Sequence, residues 1–221
     1  MNNSDSINPL IFLNDQLKFP PAENANAEGL LAVGGDLSPE RLILAYRSGI
    51  FPWFDTDSPI LWWSPDPRMV LFPHKIKISK SMRKVLKSGQ FRLTQNACFE
   101  RVIDHCSHIK RTGQKGTWIT DHMREAYVEL HEKGHAKSYE VWENDQLVGG
   151  LYGIDLGHVF CGESMFSTVS NASKFALIKL AQELEAKKYM LIDCQMHTEH
   201  LESMGAEEIP RKEFIALLKM S

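Results

Sequence analysis

Asp193 and Gln195 stand two residues apart in Leu191-Ile192-Asp193-Cys194-Gln195, at the end of an apolar segment from Tyr189 that reads as a buried strand. Side chains alternate along a strand, which predicts that both point to one face, and residues at sheet ends commonly line sites. An acid so placed can serve as a general base or as an electrostatic anchor, with the amide linking it to a reacting amine. Glu163, in Gly162-Glu163-Ser164-Met165, is a second acid at a strand end. A third pattern is basic. Between Pro67 and Phe99 stand eight cations and no Asp or Glu, so a net charge of −3 hides one positive segment on an acidic body. Lys80, Arg83, Lys84 and Lys87 fall at i, i+3, i+4 and i+7, which gathers them on one helix face suited to phosphates.

Other reactive side chains carry less. Cys98, His105, Cys106 and His108 lack any standard zinc spacing, so no metal is expected. Cys161 and Cys194 flank the acids, but no histidine is placed with either as in a thiol nucleophile, and both read as small buried side chains. His197 and His200 read as ordinary loop or helix residues. With no Cys-x-x-Cys pair and too few cysteines for a disulfide framework, reduced thiols are the default. No apolar run is long enough to span a membrane, and Met1 to Ser6 lack a charged-then-apolar leader, so a cytoplasmic protein without a membrane partner is expected.

The elements that must position these residues follow from pattern. A chain of 221 residues, 43% apolar, can bury one large core or two small ones. Residues 1–66 are rich in Pro, Gly and Trp and read as a small N-terminal domain. Its clear helix is opened by Ser38-Pro39-Glu40, an N-cap with proline at the first helical position, and ends at Gly49. Residues 67–221 alternate as α/β. Strands are expected at Met69 to Phe72, Phe91 to Thr94, Ser138 to Glu143, Gln146 to Ile154, Gly157 to Cys161 and Tyr189 to Asp193. Helices are expected at Ser79 to Lys87, Cys98 to Ser107, Thr120 to Lys133 and Ala172 to Lys187, then near Glu199 and Lys212. Asn144-Asp145 marks a hairpin. The order predicts a mixed α/β fold, one mixed sheet with helices on both faces.

Four blocks of rare residues carry a resemblance: Gly29-Leu30-Leu31-Ala32-Val33-Gly34-Gly35-Asp36-Leu37-Ser38-Pro39; Gly49-Ile50-Phe51-Pro52-Trp53-Phe54 running on to Trp62-Trp63-Ser64-Pro65-Asp66-Pro67-Arg68; Phe160-Cys161-Gly162-Glu163-Ser164-Met165-Phe166-Ser167; and Leu191-Ile192-Asp193-Cys194-Gln195. With these blocks in this order the chain resembles the leucyl/phenylalanyl-tRNA–protein transferases over nearly its whole length. The resemblance implies a small N-terminal domain followed by an acetyltransferase-like (GNAT-like) domain that uses aminoacyl-tRNA in place of acyl-coenzyme A. Leu or Phe, and Met less well, would pass to proteins beginning with Arg or Lys and mark them for degradation by the N-end rule pathway. No cofactor is implied, and a monomer is expected. Some family members continue beyond the position of Ser221, so any role of that extension is expected to be missing or replaced.

The resemblance also implies roles. Asp193 and Gln195 would hold the attacking amine, and Glu163 would bind the donor's α-ammonium group without reacting. Trp53, Leu151, Met165, Leu180, Leu184 and Ile192 would line the amino-acid pocket, with Leu151, Leu180 and Leu184 standing where relatives have Met or Phe. Trp118, Tyr46 and Tyr127 would stack on the terminal adenosine, because unpaired bases are commonly read by aromatic faces. The basic helix would contact tRNA phosphates. A conventional acyl-coenzyme A acetyltransferase is the main rival, yet Met165 to Asn171 holds no glycine where its phosphate-binding turn belongs, and Gly149, Gly150 and Gly153 fall inside a hairpin. A non-catalytic RNA-binding module would leave Glu163 and the Asp-Gln pair unexplained.

Overall fold

The computed structural model describes residues 10–109 and 119–220. A first sheet, in the order β1-β2-β4-β3, is built from β1 (Ile11–Leu13), β2 (Leu30–Gly34), β3 (Phe51–Pro52) and β4 (Leu61–Trp63). Pattern reading did not anticipate these strands, since segments of two to five residues broken by Pro and Gly show too few alternations to register. Helix α1 (Pro39–Arg47) follows β2 and starts as its sequence requires, with the Ser38 hydroxyl accepting from the Arg41 amide at 3.4 Å.

The second sheet has seven strands in the order β11-β5-β10-β9-β8-β7-β6: β5 (Arg68–Leu71), β6 (Arg92–Gln95), β7 (Ala136–Glu143), β8 (Gln146–Asp155), β9 (Val159–Ser167), β10 (Leu191–Gln195) and β11 (Glu207–Ile209). Only β9 and β10 run parallel, which makes the sheet mixed. Their crossover is α5 (Ala172–Ala186). The remaining helices are α2 (Lys80–Ser88), α3 (Phe99–His108), α4 (Asp121–Glu132), α6 (Glu199–Ser203) and α7 (Arg211–Leu218). Asn144 and Asp145 both take positive φ, 47° and 61°, and close the β7-β8 hairpin as their types predict.

Strand alternation sorts the helices onto two faces. Tyr152 packs with Phe99, Val102, Met123 and Tyr127 of α3 and α4, whereas its neighbour Leu151 packs with Phe175, Ala176 and Leu180 of α5. Gly149 is where α5 comes closest: a methyl group there would lie 2.5 Å from the Ala172 Cβ. The glycines of this hairpin therefore serve packing. The core on the α3/α4 side continues without a break into the first sheet, joining Trp62, Tyr46 and Leu42 to Phe99 and Tyr127. Strand β9 runs six residues past its expected end at Cys161, because Ser164 and Phe166 are buried and continue the alternation through the polar Gly162-Glu163.

Candidate active site

A cavity of about 520 Å³ opens beside the end of β10. Trp53, Leu151, Met165, Leu180 and Ile192 line it, together with Phe51, Leu177 and Leu201. Leu184, one helical turn beyond Leu180, is 2% exposed and belongs to the core behind the cavity, so its expected place in the lining is corrected. The walls are built from the aromatic turn after α1, the buried face of α5, the paired strands β8 and β9, and the end of β10 with the segment that leads into α6. Trp63 fixes Trp53 by two contacts. The Trp53 carbonyl accepts from the Trp63 indole at 2.7 Å, and the two rings meet edge to face at 5.7 Å.

The polar end of the cavity holds Glu163 and Gln195, the amide of Gln195 donating to Glu163 Oε1 at 3.4 Å. Asp193 does not line it. The expectation that Asp193 and Gln195 share a face is corrected, because Gln195 sits at φ 58°, the register with β5 shifts between the two residues, and alternation breaks there. Asp193 is 1% exposed and bound bidentate by Arg68, whose Nε and Nη2 donate to its oxygens at 2.8 and 2.7 Å. Arg68 also donates to the Gly49 carbonyl at 3.2 Å and lies over the rings of Phe51 and Phe214. The link from Asp193 to the cavity is its Oδ1, which accepts the backbone N–H of Gln195 at 3.0 Å and holds that residue in its left-handed conformation. In the sequence Arg68 stands as one cation of the basic run and as the last residue of a resemblance block, with no role of its own; a buried arginine facing a buried aspartate 125 residues away is a signal that pairing alone reveals.

Tyr46 and Tyr127 are 1% and 0% exposed, so neither offers a ring face to a base, and their expected stacking role is corrected. They form a chain of hydroxyls instead: Tyr46 is hydrogen-bonded to Tyr127, and Tyr127 donates to Glu163 Oε2 at 2.9 Å. Burial pushes the Glu163 carboxyl up to about 7 against the opposing pull of these two hydroxyls. Burial likewise holds both phenols well above their ordinary range, so they stay protonated. Trp118 lies outside the described residues.

His197 and His200 also line the cavity, near its mouth with Met196 and Thr198, which their spacing alone did not announce. His197 pairs with Glu202 at 3.0 Å; burial, then Lys174, lowers the pKa of His200. A second cavity of about 540 Å³ shares His197 and is lined by Glu202, Glu207, Glu208, Lys75 and Lys77. Cys194 lines the first cavity and Cys161 is fully buried; burial raises both thiols far above the range of a thiolate nucleophile. Among the described residues no three His, Cys, Asp or Glu side chains gather as a metal site. Along the basic run, Lys75 pairs with Glu207 and Arg92 with Asp145, while Lys80, Arg83, Lys84 and Lys87 of α2 are exposed with no ion-pair partner among the described residues. Met82 faces inward, so the helix is anchored and its cations point outward.

Of three comparisons with known proteins, the first two bear on this site. Residues 35–66 match the family described as leucyl/phenylalanyl-tRNA protein transferase N-terminal domain, and residues 70–219 match leucyl/phenylalanyl-tRNA protein transferase. The leucyl/phenylalanyl-tRNA–protein transferase of Flavobacterium johnsoniae is 61% identical over 95% of this chain and 99% of its own, and that of Christiangramia forsetii is 58% identical over 95% and 100%. A GCN5-related N-acetyltransferase from Kribbella flavida superimposes on 75% of this chain and 59% of its own, with a TM-score of 0.38 at 9% identity. Both parts of the site, the aromatic turn around Trp53 and the β9-β10 floor, fall inside the matched segments, and the chain belongs to the leucyl/phenylalanyl-tRNA–protein transferase family.

Proposed function

We infer that this enzyme is an aminoacyltransferase that moves Leu or Phe, and Met less well, from aminoacyl-tRNA to the N-terminal amine of a protein. The observation that carries the reading is the cavity of about 520 Å³, apolar along its walls and closed at one end by Glu163 and Gln195. Such a space accepts an apolar side chain, with a carboxylate placed for the α-ammonium group beside it. Methionine in the wall adapts its shape, which suits occupancy by both Leu and Phe.

In the reaction the acceptor ammonium gives up a proton, its nitrogen attacks the ester carbonyl, and the bond to the ribose oxygen breaks. The nitrogen's second proton leaves with that oxygen, so the products are a peptide and a free hydroxyl. An α-amino group of pKa roughly 7.7–8.0 is mostly protonated at neutral pH, so positioning of the small amine fraction, with help in removing the first proton, is what the site must supply. Asp193 is best suited to anchoring, because Arg68 occupies both its oxygens; its effect reaches the amine through Gln195. Trp118 remains the aromatic residue proposed to stack on the terminal adenosine, and the free face of α2 the surface proposed to meet tRNA phosphates. Glu202 and Glu208 in the adjoining cavity favour acceptors beginning with Arg or Lys, whose ends carry two positive charges. The further consequences, a monomeric cytoplasmic enzyme that marks acceptors for degradation by the N-end rule pathway, rest on family membership.

The test is transfer of radiolabelled leucine from charged tRNA to a peptide beginning with Arg, with acetyl-coenzyme A as a control donor. Transfer from tRNA alone is expected, together with its loss on Gln195→Ala while tRNA remains bound. Acyl transfer from the thioester and none from tRNA would replace this reading with an ordinary acetyltransferase.

A further inference from the structure

The hydroxyl chain behind Glu163 has a direction fixed by counting protons. An ionised carboxylate only accepts, and each phenol has one proton to give. Tyr127 spends its proton on Glu163 Oε2, so the proton between Tyr46 and Tyr127 comes from Tyr46. All three groups then point one way, from α1 through α4 to β9, each bond polarising the next. Glu163 Oε2 is thereby occupied from behind, while Oε1 accepts the Gln195 amide at a long 3.4 Å at the polar end of the cavity.

We propose that Tyr127, backed by Tyr46, is a positioning residue that favours the ionised form of Glu163 and holds one of its oxygens, leaving the other for the donor's α-ammonium group. This inference rests on the reading of the cavity given above. The charge of Arg68 pulls the same way, after the two hydroxyls. Arg68 of β5 spends its forked nitrogens on Asp193 and Gly49, and Asp193 of β10 repels a second negative charge. Cys161 on the same strand is held as a neutral thiol, and the Tyr152 ring of β8 stands edge-on to Tyr127. His197 and His200 line the same cavity, the first occupied by Glu202 and the second with its charged form disfavoured by burial. Two phenolic hydroxyls therefore stabilise the carboxylate against burial. The pair also ties α1, next to the first sheet, to α4 on the second, so the state of the cavity floor depends on both parts of the chain.

The experiment uses the full chain with 13C-labelled glutamate, following the Glu163 carboxyl by NMR across pH and assigning it by its absence in Glu163→Gln. The wild-type midpoint is expected near 7. Tyr127→Phe removes a hydrogen bond to the charged form and should move the midpoint upward by about one to two pH units; Tyr46→Phe should move it the same way. In parallel, affinity is measured for leucine joined by an unreactive amide to the 3′ position of adenosine. Its low-pH limb should move upward with the Glu163 midpoint in both variants. A purely structural role for Tyr127 would lower thermal stability and leave both midpoints in place. If Tyr127→Phe does not fold, Tyr46→Phe carries the same test. Unmoved midpoints in a folded variant overturn the inference. Failure of wild type to bind the analogue would instead overturn the reading of the cavity, and the carboxyl titration would still report on the hydroxyl chain.

Discussion

Arg68 and Asp193 are a buried ion pair on adjacent strands, each 1% exposed, and the pair predicts a specific pattern of non-additivity. Removing one member leaves the other as an uncompensated buried charge, which costs about 3–5 kcal/mol. Asp193→Asn keeps the shape and should fall at the low end, since the amide oxygen can still accept from the Gln195 backbone. Arg68→Met loses more. It forfeits the bond to Gly49, worth about 1 kcal/mol, and the guanidinium contacts with Phe51 and Phe214, at roughly 0.5–2 kcal/mol each. The double variant has no buried charge left, so its loss should fall short of the sum of the single losses by about 2–3 kcal/mol. Urea unfolding followed by tryptophan fluorescence measures all three, with Trp53 of the aromatic turn and Trp62 and Trp63 of β4 as reporters. Transfer assays on the same proteins read the second consequence. Gln195 is held at φ 58° by Asp193, which Arg68 orients, so Arg68→Met should lower kcat by about 10²-fold, as misplacing a positioning group does, and Asp193→Asn by less, with little change in KM for tRNA. Single losses below about 1 kcal/mol that simply add would refute the reasoning, and so would a kcat untouched by Arg68→Met.

Two further outcomes follow from the surfaces and the cavity. Replacing Lys80, Arg83, Lys84 and Lys87 by Ala together should weaken tRNA binding and reduce the slope of log affinity against log salt by about 3, the value for four lost phosphate contacts; an unchanged slope places the tRNA elsewhere. Leu180→Ala should shift preference from Leu towards Phe by about 10–200-fold in kcat/KM, because the enlarged wall loses contact with the smaller side chain; measured competition between the two charged tRNAs checks it, and an unchanged ratio removes Leu180 from the pocket.

Much of the molecule was legible before any coordinates. Ser38-Pro39 starts a helix because a hydroxyl satisfies a free amide and proline needs none, and Asn144-Asp145 closes a hairpin because both residues tolerate positive φ. Long elements such as α5 and β8 declared themselves by pattern, and rare words around Trp53, Glu163 and Asp193 carried the family. The short strands β1 to β4 and β11 were not legible, since they are held by pairing with distant partners rather than by local preference.

The division at the site has the same physical cause. Sequence determined which residue types are present: two acids, an amide, an apolar wall and an outward basic helix, each encoded in local order. Tertiary structure alone decided what each acid faces. Asp193 meets Arg68, 125 positions away, and is closed to the cavity, whereas Glu163 meets Tyr127 from α4 and stays open to it. Alternation predicted a shared face for Asp193 and Gln195 because it is a local rule; one left-handed residue, held by a hydrogen bond two positions back, was enough to undo it. Charge state, burial and the direction of a hydrogen bond depend on what the chain brings near from far away, and those distances are set only when the sheet closes.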